Sequence, residues 1–140
     1  MRERTLAIIK PDAVKKNVIG EILAMITQAG FSVLGIRMTK LSVAQASAFY
    51  EVHKERPFYG ELVDYMCSGR VVAIALEKEN AIEDYRKLIG ATDPLEAANG
   101  TVRKLYGESK SFNAVHGSDS AENGMKEVGF FFAESEIVNK

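Results

Sequence analysis

A run of six apolar residues, 71–76, is the feature of this sequence that most constrains its fold. A segment so short and so apolar is typical of a buried strand. Segments with helical spacing flank it, residues 59–68 before Gly69 and residues 80–89 before Gly90. Glycine is common just after the last residue of a helix, where the chain often turns left-handed. The run is therefore the strongest strand candidate in the chain, and with its flanking helices it predicts an α/β fold.

The rest of the chain continues this alternation of strands and helices. Periodicity and helix-ending residues predict strands at 5–9 and 31–41, helices at 14–29, 42–56 and 120–128, and a short strand or turn at 113–117. In the second strand, Leu34, Ile36 and Met38 are expected on one face. Residues 91–112 form a long excursion, which in a compact domain is usually functional or disordered. Taken alone, the alternation suggests a parallel sheet.

Length and charge limit the classes of protein that this chain can represent. Its 140 residues, 46% of them apolar, predict one folded domain over residues 1–140. The 18 basic and 19 acidic residues nearly cancel, which argues against dedicated nucleic-acid binding. Cys67 has no second cysteine to pair with and is expected to be a small buried thiol. The apolar run at 5–9 is too short for a signal peptide or a membrane span, so we expect a cytoplasmic protein with no membrane association.

The densest cluster of reactive side chains lies at residues 113–120 and contains His116. A histidine beside a glycine, just before a capped helix, stands on a turn where its ring can face a ligand. An imidazole is largely unprotonated near neutral pH and can attack a phosphoryl group, which gives a phosphohistidine. The pattern alone leaves open whether His116 is such a nucleophile or a hydrogen-bonded structural residue. His53, within a charged run, is expected to be an ordinary surface residue.

The sequence has no glycine-rich loop of the kinds that hold phosphates with backbone amides. Phosphates would therefore have to be bound by side chains. The candidates are Lys10, which follows the first strand, together with Arg86, Thr92 and Arg103. Taken individually, each of these residue types is more often a surface residue than a ligand, so the residues by themselves predict only a possible phosphate site.

Five segments of the chain together closely resemble the nucleoside diphosphate kinase family, in its order and with similar separations. They are Lys10-Pro-Asp12, His53-Lys-Glu-Arg56-Pro-Phe58, Gly90-Ala-Thr92-Asp-Pro94, Gly100-Thr-Val-Arg103 and Asn113-Ala-Val-His116-Gly-Ser-Asp-Ser120. The resemblance extends from residue 4 to about residue 138 and is closest to bacterial members. It implies a ferredoxin-like α/β sandwich, in which helices cover a four-stranded antiparallel sheet. It also implies an enzyme that moves the γ-phosphate of a nucleoside triphosphate to a nucleoside diphosphate by a ping-pong mechanism, with broad base and sugar specificity.

The resemblance assigns roles to particular side chains. They are His116 as the nucleophile, Glu127 as the carboxylate that orients its ring, Tyr50 as a nearby tyrosine, Lys10, Arg86, Thr92 and Arg103 around the phosphates and sugar, Asn113 at the ribose, Phe58 and Leu62 at the base, and Asp119 near a magnesium ion held mainly by the phosphates.

The same resemblance implies Mg²⁺ as cofactor, nucleoside di- and triphosphates as partners, and a homotetramer or homohexamer.

Two departures from the family pattern stand out. Asn99 replaces a common proline in a loop that contributes to subunit contacts, and Lys110 stands where an apolar residue often backs the base. A phosphohistidine relay and a regulatory nucleotide-binding protein are the alternatives. Phe58 and Asn113 would serve a nucleotide, so their presence argues against the relay. A regulatory protein without catalytic activity would be expected to lose the nucleophile, so the presence of His116 argues against that alternative.

Overall fold

One antiparallel sheet underlies the fold. The computed structural model describes residues 2–139. In chain order the strands within that range are β1 (Arg2–Ile9), β2 (Ser32–Lys40), β3 (Arg70–Glu79) and β4 (Val115–His116). Their spatial order is β2-β3-β1-β4, and every neighbouring pair is antiparallel. The antiparallel sheet implied by the family resemblance is confirmed, and the parallel sheet suggested by the alternation is wrong.

The position of β3 explains why the alternation of strands and helices wrongly suggested a parallel sheet. β1 and β2 both run antiparallel to β3, so they are parallel to each other, as a strand–helix–strand unit predicts. They are not neighbours, because β3 lies between them and pairs with β1 from Arg2↔Glu79 to Ile9↔Val72. The apolar run at 71–76 is the buried centre of this inserted strand, which confirms its prediction as a strand.

Helices cover both faces of the sheet. Within the described residues they are α1 (Pro11–Lys15), α2 (Ile19–Gln28), α3 (Val43–Phe49), α4 (Tyr59–Met66), α5 (Ala81–Ile89), α6 (Val102–Tyr106) and α7 (Ala121–Phe131), with short 3₁₀ turns at Glu51–His53 and Glu134–Glu136. On one face, α2 and α5 contribute Ile26 and Tyr85 to a buried cluster. On the other face, α3, α4 and α7 contribute Ala46, Val63 and Val128 to a second cluster. Two cores separated by a sheet are the sandwich that the resemblance implied.

The helices predicted at 59–68, 80–89 and 120–128 begin and end within three residues of their predicted limits, whereas the helix predicted at 42–56 ends at Phe49 and is followed by a 3₁₀ turn. The capping box that predicted the start of α3 is present, because Gln45 N donates to Ser42 Oγ at 3.1 Å and the side chain of Gln45 accepts from Ser42 N at 2.9 Å. The single helix expected at 14–29 is instead two helices, α1 and α2. Asn17 between them has φ +63°, a left-handed conformation that asparagine tolerates better than most residues.

A β-bulge in β2 changes which side chains share a face. Val33 pairs with Leu76 but Gly35 pairs with Ala75, so Leu34 is the extra residue. Leu34 is 2% exposed and packs in the cluster formed with α3, α4 and α7. Ile36 and Met38 lie on the other face of the sheet, where they are 53% and 47% exposed. The predicted alignment of these three residues on one face is therefore wrong, since a bulge shifts the alternation by one residue.

The helix α7 confirms the prediction at 120–128 and extends beyond it to Phe131. Gly124 is where the helix contacts β1. A Cβ at this position would lie 2.2 Å from the carbonyl oxygen of Arg4, so a larger residue would push the two elements apart. Phe131 and Phe132 are buried at the end of the helix. Cys67 is only partly buried, contrary to prediction, and its Sγ lies 2.9 Å from the carbonyl oxygen of Val63.

Residues 2–139 contain no helix that is both long enough and apolar enough to cross a membrane.

Candidate active site

A cavity of about 1680 Å³ lies beside β4 and collects the residues that the sequence singled out. Its walls come from the segment after β1, from α4 and α5, from the excursion at 91–112 and from α7. The predicted site residues that line it are Lys10, Phe58, Leu62, Arg86, Thr92, Arg103, Asn113, His116, Asp119 and Glu127. Tyr50 is the exception and lies outside the lining. Residues from the whole length of the chain therefore meet at one cavity.

His116 is fixed in this cavity by its strand and by α7. β4 pairs with β1 through Ile8↔His116, and the Nε2 atom of the ring lies 2.7 Å from Glu127 Oε1. An ionised carboxylate can only accept a hydrogen bond, so Nε2 carries the proton and Nδ1 keeps the lone pair. The ring is thus held in the tautomer that makes Nδ1 nucleophilic.

Ser118 supports this arrangement, although the sequence pattern assigns it no role of its own. Its hydroxyl donates to the same Glu127 Oε1 at 2.7 Å and accepts a hydrogen bond from Leu6 N at 3.0 Å. The side chain is fully buried. Ser118 therefore ties the carboxylate to β1. Ser118 lies in the segment 113–120 that resembles the family, two residues after His116. Its partners Leu6 and Glu127 are distant in sequence, so no local pattern indicates these contacts.

Tyr50 lies one layer behind the histidine. Its ring packs edge-on against Phe49 with centroids 4.9 Å apart, and Phe49 packs against His116 at 5.5 Å. Its buried hydroxyl has no hydrogen-bond partner among residues 2–139. Burial, and next the charge of Glu127, raise the pKa of Tyr50 well above its ordinary value. The phenol is therefore a neutral group behind the carboxylate.

Lys10 and Asn113 form a buried polar pair. Lys10 Nζ donates to Asn113 Oδ1 at 2.8 Å, and Asn113 Nδ2 donates to the carbonyl oxygen of Thr92 at 3.1 Å. Lys10 is only 8% exposed. Burial, and secondly the charge of Arg103, lower its pKa to about 8, against the opposing effect of Asp12. A lysine held in this way gains from an incoming anion, which would replace part of its lost solvation.

Arg103 is held by backbone carbonyls at the other side of the cavity. It donates to the carbonyl oxygens of Gly90 at 3.0 Å and Val115 at 2.9 Å. Gly90 has φ +88°, and a Cβ there would lie 2.6 Å from Thr101 Oγ1, so the residue must be glycine for two reasons. Arg86 lies four residues before Gly90, in the last turn of α5, and its exposed side chain lines the cavity. Both arginines therefore line the cavity that contains His116.

One wall of the cavity is aromatic. Phe58 is 47% exposed, and its ring lies 5.7 Å from the ring of His53, which also lines the cavity. The prediction that His53 is an ordinary surface residue is therefore wrong, because its ring is half-buried and lines the cavity beside Phe58. Lys110 reaches the lining as well, and the half-exposed Phe112 two residues later supplies an apolar surface there.

The residues that could assist a metal ion are few. No cluster of three or more histidine, cysteine, aspartate or glutamate side chains within residues 2–139 could hold one. Asp119 lines the cavity, and its Oδ1 accepts from Asn123 Nδ2 at 2.6 Å. One carboxylate beside a phosphate site fits Mg²⁺, which usually keeps several waters and takes its other ligands from substrate phosphates.

Comparisons with known proteins agree with this geometry. The family model described as "Nucleoside diphosphate kinase" matches residues 3–137. A nucleoside diphosphate kinase of Chlorobium luteolum is 61% identical over 136 residues, 97% of each chain. A crystal structure of the Aquifex aeolicus nucleoside diphosphate kinase superposes with a TM-score of 0.97 at 45% identity, covering 99% of this chain and 100% of that one. The enzyme from Halobacterium salinarum, solved in complex with CDP, gives 0.95 at 34% identity, covering 100% and 93%. The chain belongs to the nucleoside diphosphate kinase family.

Proposed function

We infer that this chain is a nucleoside diphosphate kinase that transfers the γ-phosphate of a nucleoside triphosphate to a nucleoside diphosphate through a phosphorylated His116. The observation that carries this conclusion is the 2.7 Å hydrogen bond between His116 Nε2 and Glu127, in a cavity with several cationic side chains. Residues 1–140 act as one catalytic domain, which the family match over residues 3–137 supports.

In the first half-reaction, Nδ1 of His116 attacks the γ-phosphorus. The new N–P bond forms as the bond between phosphorus and the β,γ-bridging oxygen breaks, and the diphosphate leaves with the electron pair. Because Nε2 keeps its proton, the ring gains positive charge, which the carboxylate of Glu127 stabilises at 2.7 Å. In the second half-reaction a terminal phosphate oxygen of another diphosphate attacks the phosphohistidine, and the free imidazole is restored.

The cationic side chains stabilise the phosphates. Phosphoryl transfer depends mainly on in-line positioning and on positive charge around the equatorial oxygens. Lys10, Arg86 and Arg103 supply that charge, and Thr92 contributes a hydroxyl. Mg²⁺, held by the phosphates with Asp119 nearby, would add charge neutralisation.

The remaining roles concern the nucleoside. Asn113 contacts the ribose, and Phe58 stacks on the base with Leu62 beside it. Stacking on an exposed ring hardly discriminates among bases, because each base has a π-face, so broad specificity follows. A protein-phosphate relay would have no use for the exposed ring of Phe58 in the cavity. The relative solved with CDP supports nucleotide binding.

The assembly and location are also proposals. We propose a homotetramer or homohexamer, supported by apolar side chains left exposed at Ile36 on the edge strand β2 and at Leu105 on α6. Asn99 is exposed in the loop before α6, so its effect on assembly is testable by sedimentation of an Asn99→Pro variant. A cytoplasmic location is supported by the single cysteine, which requires no oxidising compartment.

Labelled ATP tests the activity directly. The pure protein should acquire an acid-labile label and pass it to diphosphates of several bases. His116→Ala should abolish both steps, at a cost of several powers of ten, because the covalent route is closed. His53→Ala, which removes the other histidine, is the matched control and should still take up the label. Stoichiometric labelling of His116→Ala would overturn the proposal.

The phosphate contacts have their own test. Arg86→Ala and Arg103→Ala should each lower kcat/KM by about 10²-fold or more with every nucleotide, because the phosphates are common to all. Lys104→Ala, a neighbouring exposed lysine, is the control. A loss restricted to one base would show that the arginine reads the base instead.

A further inference from the structure

The chain makes a strained turn immediately before His116. Ala114 has φ +74°, although it is not glycine. Val115 N donates to the carbonyl oxygen of Asn113 at 2.9 Å, which closes a three-residue turn around Ala114. A γ-turn with positive φ is rare and unfavourable for an L-residue, and it persists only where its surroundings hold it.

The surroundings that hold it come from the segment after β1. Ala114 is fully buried. Its N–H donates to Asp12 Oδ2 at 3.0 Å, and its carbonyl oxygen accepts from Lys10 N at 2.8 Å. Without Asp12, this buried N–H would lose its acceptor, and the turn would lose the contact that favours it over a relaxed backbone.

Asp12 is itself held in place by Tyr65 of α4. The phenol donates to Asp12 Oδ1 and accepts a hydrogen bond from Asp12 N at 3.1 Å. Both carboxylate oxygens are therefore occupied, one by the tyrosine and one by the strained turn. Tyr65 has no part in the phosphate chemistry described above, and Asp12 enters it only through its charge near Lys10.

The turn lies between two groups of the proposed site. Asn113 precedes it, and β4 with His116 follows it, paired to β1 through only two residue pairs. So short a strand cannot fix its own position, and a relaxed Ala114 would redirect both neighbours.

We propose that Asp12, supported by Tyr65, is a positioning residue that stabilises the strained turn at Ala114 and thereby presents Asn113 and His116 to the nucleotide. The inference rests on the proposed role of His116 as nucleophile. Asp12 also lies near Lys10, so the test must separate its hydrogen bonds from its charge.

A cycle of two substitutions tests the coupling. Asp12→Ala should slow phosphoenzyme formation, followed in single turnovers, by about tenfold or more, because the competent turn becomes a minor conformation. Adding Ala114→Gly should recover most of that loss, because glycine reaches positive φ without a steric penalty. In the parent background, where the turn is already populated, the same substitution should change the rate far less. Equal effects in both backgrounds, or an Asp12→Ala variant that loses melting temperature but no rate, would refute the proposal.

Asp12→Asn separates geometry from charge and provides a variant if Asp12→Ala does not fold. Its amide oxygen still accepts from Ala114 N, so it should stay within a few-fold of the parent. A loss as large as that of Asp12→Ala, without rescue by Ala114→Gly, would show that the charge acts on Lys10 and would overturn the positioning role.

Amide hydrogen exchange supplies a readout that does not need activity. Ala114 N–H should exchange slowly in the parent, faster in Tyr65→Phe and fastest in Asp12→Ala. Unchanged exchange would refute the positioning role even in an active enzyme. A parent that forms no phosphoenzyme but shows this order of exchange would refute the role of His116 and leave the turn as proposed.

Discussion

Replacing the buried lysine of the site by methionine should make the protein more stable at neutral pH and inactive. The pKa of Lys10 falls from its ordinary value of 10.5 to about 8, mainly because of burial. That difference corresponds to about 3 kcal/mol of unfavourable free energy for the charged side chain in the folded protein. Lys10→Met removes this cost but leaves the buried Asn113 Oδ1 without its donor, at about 1–3 kcal/mol. A net stabilisation of up to about 2 kcal/mol is expected at pH 7.

The stabilisation should depend on pH with a definite sign. Between pH 8 and 10.5 the unfolded chain binds more protons than the folded one at Lys10, so the stability of the parent rises with pH across this window. The cost of the charge is fully present below pH 8 and is lost near pH 10.5. The advantage of Lys10→Met should therefore shrink as the pH rises and end as a small destabilisation.

Urea unfolding at a fixed protein concentration, at about pH 7 and about pH 10, measures the effect. Lys15→Met is the matched control, since Lys15 is exposed at the end of α1 and its removal should give no such dependence on pH. A Lys10→Met variant that is less stable than the parent at pH 7, or that differs from it equally at both pH values, would refute this reasoning.

Three further outcomes follow from the site. Nucleotide affinity should fall as the pH rises above about 8, because Lys10 loses its charge there. Calorimetry in buffers of different ionisation enthalpy should show that the protein takes up a proton when nucleotide binds at about pH 9. A nucleotide affinity that does not change between about pH 7 and about pH 9 would contradict this prediction. Phe58→Ala should weaken binding by about 1–3 kcal/mol for purines and pyrimidines alike. Its melting temperature should stay unchanged, and a stability loss with unchanged affinity would make Phe58 a core residue. Ser118→Ala should lower kcat and cost about 1–3 kcal/mol in urea unfolding, because Leu6 N–H loses its buried acceptor and Glu127 loses a donor; an unchanged unfolding midpoint would count against it.

Local patterns predicted the elements well because they report local physics. The strand at 71–76, the capping box at Ser42 and the helix that ends before Gly90 all depend on residues close in sequence. Resemblance over five segments identified the family and nominated the side chains that line the cavity. Two local predictions were wrong where one residue interrupts a period, at Asn17 between the first helices and at the bulge in β2.

The tertiary structure decided the features that join distant segments. It inserted β3 between β1 and β2, brought Glu127 against His116, and buried Lys10 so that its pKa falls. The strained conformation of Ala114 belongs to the same group, because it depends on a carboxylate 102 positions away in the chain. Periodicity and caps depend on neighbours in sequence, so the sequence by itself determined where helices and strands form. The burial of a side chain, the pairing of strands and the strain of a backbone turn depend on contacts between segments that are distant in sequence. Only the packing of the two cores against the sheet determines those contacts.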